Sequence, residues 1–120
     1  MRVLIVDDDT AFLEAVAALL ATLEGVELVG TATDGDEAVE RVRELQPDVV
    51  VTDVDMPRLD GVEAARLIRL ESPATQIVIV SGSEVRAHVL GAQTAGAVAY
   101  LRKENFALDL PVVLDSLRDG

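Results

Sequence analysis

The chain has 120 residues, half of them hydrophobic, no cysteine and a formal net charge of -12. That size suits one domain with a single core, and the acidic balance argues against binding nucleic acid or an anionic membrane through it. Without cysteine there is no disulfide framework or thiolate metal site, no apolar run approaches the roughly 18 residues of a membrane span, and 2% aromatic content leaves no base-stacking platform.

In chain order, short β-branched runs alternate with segments of helical spacing. Val3–Val6 predicts a first strand rather than a leader peptide, which makes a cytoplasmic domain the expectation. Asp7-Asp8-Asp9 follows it. Ala11–Leu23 then places Phe12, Val16, Leu19, Leu20 and Leu23 on one helical face, with Asp9 or Thr10 as its cap. Glu27–Ala32 predicts the second strand. Asp34-Gly35-Asp36 signals a second helix, Glu37–Leu45, with Ala38, Val42 and Leu45 facing inward and Pro47 ending it. Asp48–Thr52 is the third strand. Asp60-Gly61 opens a third helix, Val62–Leu70, that uses Val62, Ala65, Leu67 and Ile68 and stops before Pro73.

Ile77–Ser81 is the fourth strand, and Ser83 starts a fourth helix over about Glu84–Ala95. That helix carries Gly91 and small residues (Ala87, Ala92, Ala95), which predicts weak local stability. The one histidine, His88, falls on it as a solvated surface residue. Ala97–Leu101 is the fifth strand. Pro111 is tolerated only in a first turn, so the fifth helix is expected over about Leu110–Arg118, with Asp109 as N-cap, after an extended loop.

Val49-Val50-Val51 and Ile77-Val78-Ile79-Val80 are apolar on both faces, as in strands of a parallel sheet covered by helices. The pattern predicts a (βα)5 doubly wound α/β domain over residues 1–120. Right-handed crossovers bring every strand's C-terminal end to one sheet edge, where ligands of open α/β sheets bind. Asp7, Asp8, Asp53, Ser81 and Lys103 all follow strands directly and therefore converge there.

Lys103 is the only lysine in the chain, every other basic side chain being arginine. An ammonium is a compact point charge, whereas a guanidinium is a broad planar fork. Several carboxylates in one place repel, and a divalent ion is the usual remedy. All-oxygen ligands suit Mg²⁺ or Mn²⁺, and an aspartate beside such an ion can form an aspartyl phosphate, with Lys103 and the Ser81 hydroxyl serving the remaining oxygens. Helix capping alone accounts for Asp9 but not for three consecutive acids.

These residues resemble a family. Val3-Leu4-Ile5-Val6-Asp7-Asp8-Asp9, Asp53-Val54-Asp55-Met56-Pro57-Arg58-Leu59-Asp60-Gly61, Ser81-Gly82 and Ala95-Gly96-Ala97-Val98-Ala99-Tyr100-Leu101-Arg102-Lys103 are similar to the receiver domains of two-component response regulators, and the likeness covers essentially the whole chain. It implies strand order 2-1-3-4-5 and Asp53 as phosphoacceptor. It further implies Mg²⁺ on Asp7, Asp8, Asp53 and the Asp55 backbone carbonyl, Asp8 being a direct ligand. Lys103 and Ser81 would contact the phosphoryl group, and Ser81 with Tyr100 would form a switch pair. The implied activity is phosphorelay signalling in which the domain catalyses only its own phosphorylation and dephosphorylation. The implied partners are a histidine kinase or phosphotransfer protein, and an output domain or partner met by the fourth helix, fifth strand and fifth helix. A phosphorylation-dependent homodimer is a further implied partner.

Two departures from the pattern stand out. Glu104 replaces the proline that follows the lysine in many receivers, as in some regulators with helix-turn-helix outputs, so the cis Lys-Pro bond of those receivers is ruled out. Asp55 adds a carboxylate at the mouth of the site. Read as Asp53-Val54-Asp55 with Ser81 and Lys103, the same residues offer an alternative, a haloacid-dehalogenase-type aspartyl phosphatase. Against it, the acid pair lies upstream of this motif and 120 residues show no cap insertion.

Overall fold

The computed structural model describes residues 1–53, 61–82 and 96–118. Five parallel strands form one sheet: β1 (Arg2–Val6), β2 (Glu27–Ala32), β3 (Val49–Asp53), β4 (Gln76–Ser81) and β5 (Ala99–Arg102). Their order is β2-β1-β3-β4-β5, as the family resemblance implies. The described helices are α1 (Thr10–Ala21), α2 (Gly35–Leu45), α3 (Gly61–Glu71) and a C-terminal helix (Phe106–Arg118). The fourth helix expected over Glu84–Ala95 lies outside the described residues.

The two faces of the sheet carry separate cores, because successive side chains of a strand point to opposite faces. On one face Leu4, Val6, Val50, Ile77 and Ile79 pack against Ala38 and Val42 of α2 and Ala65 and Ile68 of α3. On the other, Val3, Ile5, Val49, Val51, Val78 and Val80 pack against Leu13, Val16 and Leu20 of α1 and Leu110 and Leu114 of the C-terminal helix. Every residue of β3 is buried, as its run of three valines requires.

Side-chain caps fix the starts of α1 and α2. Asp9 caps α1, its carboxylate accepting from Ala11 N and Phe12 N. Asp34 caps α2 by accepting from Glu37 N, and Glu37 reaches back to Thr33 N, a reciprocal pair of end contacts. Gln46, left-handed at φ 47°, closes α2. The buried line of α1 is Leu13, Val16 and Leu20, with Phe12, Leu19 and Leu23 flanking it, so the face expected from spacing is rotated slightly toward Leu13.

The turn leading into β5 contains Gly96, which has φ +85°. A Cβ there would meet Arg69 side-chain atoms at 2.8–2.9 Å. Arg69 NH1 of α3 donates to the Gly96 carbonyl at 3.1 Å.

The C-terminal helix corrects the sequence expectation. It starts at Phe106, directly after a 3-10 turn over Lys103–Asn105, and Pro111 lies inside it. Asp109 is a helical residue and not the N-cap. The reason is the apolar stripe, which begins at Phe106 and continues through Leu110, Val113, Leu114 and Leu117 against the second core. Burying one such side chain contributes about 1.5–3 kcal/mol, so two or three of them outweigh a proline cost of about 3 kcal/mol. The cost is nevertheless present, since Pro111 has no N–H to give the Ala107 carbonyl. Pro111→Ala should therefore raise stability by up to about 3 kcal/mol, read as a higher urea midpoint with unchanged slope. A lower midpoint would mean that proline is accommodated there at no cost.

Candidate functional site

The C-terminal ends of the strands bring the expected residues together. Asp7 follows β1, Asp53 ends the central strand β3, and Lys103 follows β5. Asp7, Asp8 and Asp53 each offer a carboxylate oxygen, and those atoms lie within 4.8 Å of one another. Asp7 is fully buried and Asp53 is 4% exposed, whereas Asp8 is open to solvent. Lys103 Nζ sits 2.7 Å from Asp7 Oδ2 and 3.4 Å from Asp53 Oδ2. Three carboxylates and one ammonium leave the cluster with a formal charge of -2.

The two oxygens of Asp7 differ. Oδ1 accepts from Asp9 N at 2.8 Å. Oδ2 is buried and has no hydrogen-bond donor among the described residues, because the Lys103 ammonium approaches it off the line of a hydrogen bond. The two groups nonetheless form a close ion pair at 2.7 Å. Burial alone would lower the Lys103 pKa, but the close contact with Asp7 and the charge of Asp53 outweigh it and hold the pKa above its ordinary value. Lys103 therefore stays charged at neutral pH.

The donor set fits a hard divalent cation. It is all oxygen, with one buried carboxylate oxygen lacking a donor, an exposed acid at the mouth, and more negative charge than one ammonium balances. The chain's own groups also suit phosphoryl chemistry: a buried carboxylate as nucleophile, with an ammonium beside it.

Ser81 is fully buried at the end of β4, one position beyond Val80, the register partner of Asp53. Tyr100 pairs with Ile79 in β5 and packs, half buried, against the α2–α3 core. Asp55 lies outside the described residues. What spacing alone did not reveal is the second role of Phe12, expected only as a core-facing residue. Its ring lies under Lys103, with Nζ 4.6 Å from the centroid, and meets Phe106 edge-to-face at 5.0 Å. The available signal was that the chain's two phenylalanines lie close in sequence to the acid triplet and to the lone lysine. A cleft of about 370 Å³ bounded by Met1, Asp48, Gln76, Leu117 and Arg118 sits at the opposite ends of the strands and gathers no comparable chemistry.

Comparison with known proteins points one way. The family model described as "response regulator receiver domain" matches residues 3–114. A protein-glutamate methylesterase/protein-glutamine glutaminase of Geobacter metallireducens is 47% identical over 104 residues, covering 84% of this chain and 30% of that protein. The chain therefore spans under a third of that relative's length. The chemotaxis protein CheY of Thermotoga maritima is 40% identical, with 85% of this chain and 84% of that protein covered. Among solved structures, the signal receiver domain of the response regulator NarL from Mycobacterium tuberculosis superposes with a TM-score of 0.90 at 32% identity, covering 99% of this chain and 97% of that one. None of these favours the phosphatase alternative.

Two outcomes follow from the charge balance. Asp8→Asn removes a carboxylate from the rim and also relieves repulsion. Mg²⁺ affinity by titration should fall at least about tenfold, while stability in a chelator stays level or rises slightly; unchanged affinity would remove Asp8 from the ligand set. Lys103→Met leaves buried acids uncompensated and should cost about 1–3 kcal/mol in chelator at neutral pH. Because the folded pKa of Lys103 is raised, its contribution is full below the unfolded value and is lost as pH rises through the folded one. Denaturant curves of the two proteins should therefore converge only in strong alkali; a gap that closed near neutrality would contradict the pairing.

Proposed function

The chain belongs to the response regulator receiver domain family, and from that membership and the geometry of the acid cluster we propose that it takes a phosphoryl group onto Asp53. The observation that carries this reading is the buried Asp53 carboxylate at the end of the central strand, beside two further aspartates and 3.4 Å from the lone lysine ammonium. The donor is a phosphohistidine of a sensor kinase or phosphotransfer protein. An Asp53 oxygen forms the new bond to phosphorus, the donor's nitrogen–phosphorus bond breaks, and its electron pair stays with the departing imidazole, which takes up a proton.

Asp7, Asp8 and Asp53, with the Asp55 backbone carbonyl, would hold Mg²⁺ or Mn²⁺. When bound, the cation supplies the positive charge that lets carboxylates and phosphoryl oxygens share one site. Lys103 is near enough to Asp53 to donate to a phosphoryl oxygen on it, and the Ser81 hydroxyl is the second donor on the strand next to β3. Movement of Ser81 toward the new anion frees space for the Tyr100 ring to turn inward, which alters the surface of the fourth helix, fifth strand and fifth helix. That surface is read by an output domain, a partner protein or a second receiver.

Residues 1–120 act as one receiver in the cytoplasm, catalysing only their own phosphorylation and its reversal. Since the chain spans under a third of its methylesterase relative, any output activity belongs to sequence beyond this domain. With Mg²⁺ and acetyl phosphate, intact-mass spectrometry should record one labile phosphoryl group on the wild type and none on Asp53→Asn. Equal uptake by the variant would place the acceptor elsewhere.

A further inference from the structure

The chain has three aromatic rings, two phenylalanines and one tyrosine, and one lysine. Both phenylalanines are used at that lysine. Phe12 presents its ring to Lys103 Nζ at 4.6 Å from the centroid. Phe106, three residues after Lys103, braces Phe12 edge-to-face at 5.0 Å and 69°. We propose that Phe12, braced by Phe106, is a positioning residue that seats the Lys103 ammonium for the phosphoryl group; the inference rests on the receiver reading given above.

The backbone closes this arrangement into a loop. Asp7 Oδ1 accepts from Asp9 N, Asp9 Oδ1 accepts from Phe12 N at 3.3 Å, the Phe12 ring underlies Lys103, and Lys103 returns to Asp7 Oδ2. The backbone that carries the ring is therefore tied to the buried acid that the ammonium faces. The two carboxylate contacts of Lys103 leave the flexible four-carbon stem loosely fixed, since one is off-line and the other is 3.4 Å long. A ring face supplies a third hold of the right kind. Its quadrupole attracts the ammonium without adding charge to a cluster that already has three carboxylates. It takes up little of the ammonium's hydrogen-bonding capacity, so N–H groups remain for an incoming oxyanion. It also keeps water off one side of Lys103. An aliphatic residue would fill the same space and exclude the same water but would not attract the ammonium.

The plain alternative is that Phe12 is only a flank of the second core, where it packs partly buried. Phe12→Leu keeps apolar bulk and removes the quadrupole, whereas Phe12→Tyr keeps both. With a single lysine, ¹³C-labelled lysine gives one Cε–Hε signal, and the ring should shift it upfield. Phe12→Leu should abolish that shift, and Phe12→Tyr should retain it. Mg²⁺-dependent phosphorylation by acetyl phosphate should fall about fivefold in Phe12→Leu, as for loss of a cation–ring contact of about 1 kcal/mol, and recover in Phe12→Tyr. On a Lys103→Met background Phe12→Leu should have no further effect. If Phe12→Leu does not fold, Phe106→Leu removes the brace and is read by the same signal and rate. A lysine signal that does not respond to either substitution overturns the seat whatever the activity. So does a rate loss that persists in full without Lys103. If the wild type is not phosphorylated on Asp53, the receiver reading fails separately, and the lysine signal alone still decides the seat.

Discussion

A carboxylate is buried at this sheet edge, and the rest of the site is arranged around it. Asp7 is wholly inaccessible to solvent, and a lone ionised acid in such a place would be far too costly to keep. Its two oxygens are stabilised differently, one by a backbone amide two residues on and the other by an ammonium that is close but misaligned. The first contact is permanent. The second leaves an oxygen with unused accepting capacity. Replacing Lys103 by a guanidinium would fill that capacity with fixed forked bonds and remove the reserve.

The scaffold makes this balance reproducible. The acids and the lysine lie on or next to strand ends, and the strands are clamped between two cores; among the described residues Thr52 is the one fully buried polar side chain of the strands short of their last positions. Elements so placed hold side chains more accurately than loops can. The acidic chain as a whole then acts as a weak, long-range field, screened within about 8–10 Å at ordinary salt, whereas the cluster acts at contact range.

Much of this was legible in the residue order because period and punctuation agree. Valine runs specify buried parallel strands, and the acids that interrupt them must fall at strand ends, so Asp7, Asp53 and Lys103 could be placed together from pattern alone. Asp34 and Asp9 as caps were equally readable, since short acids before an apolar period have one obvious use. Pro111 misled because a local rule about helix interiors was weighed without the tertiary stripe of Phe106, Leu110 and Leu114, whose burial is non-local. Phe12 was read as core because helical spacing reports which face a residue occupies and cannot report what crosses over from another strand. Leu13 takes its place in the buried line for the same reason: the crossing angle of α1 on the sheet is not written in α1.

Arg69 and Gly96 show a different kind of dependence. The arginine lies so close over the turn that any side chain at 96 would collide with it, while its guanidinium is tied to the carbonyl of that same residue. The clash is with the far end of a flexible side chain that can swing aside, so the left-handed backbone at 96 restricts that position more than Arg69 does. What the pair does fix is an approach: the guanidinium on the Gly96 carbonyl ties α3 to the entrance of β5.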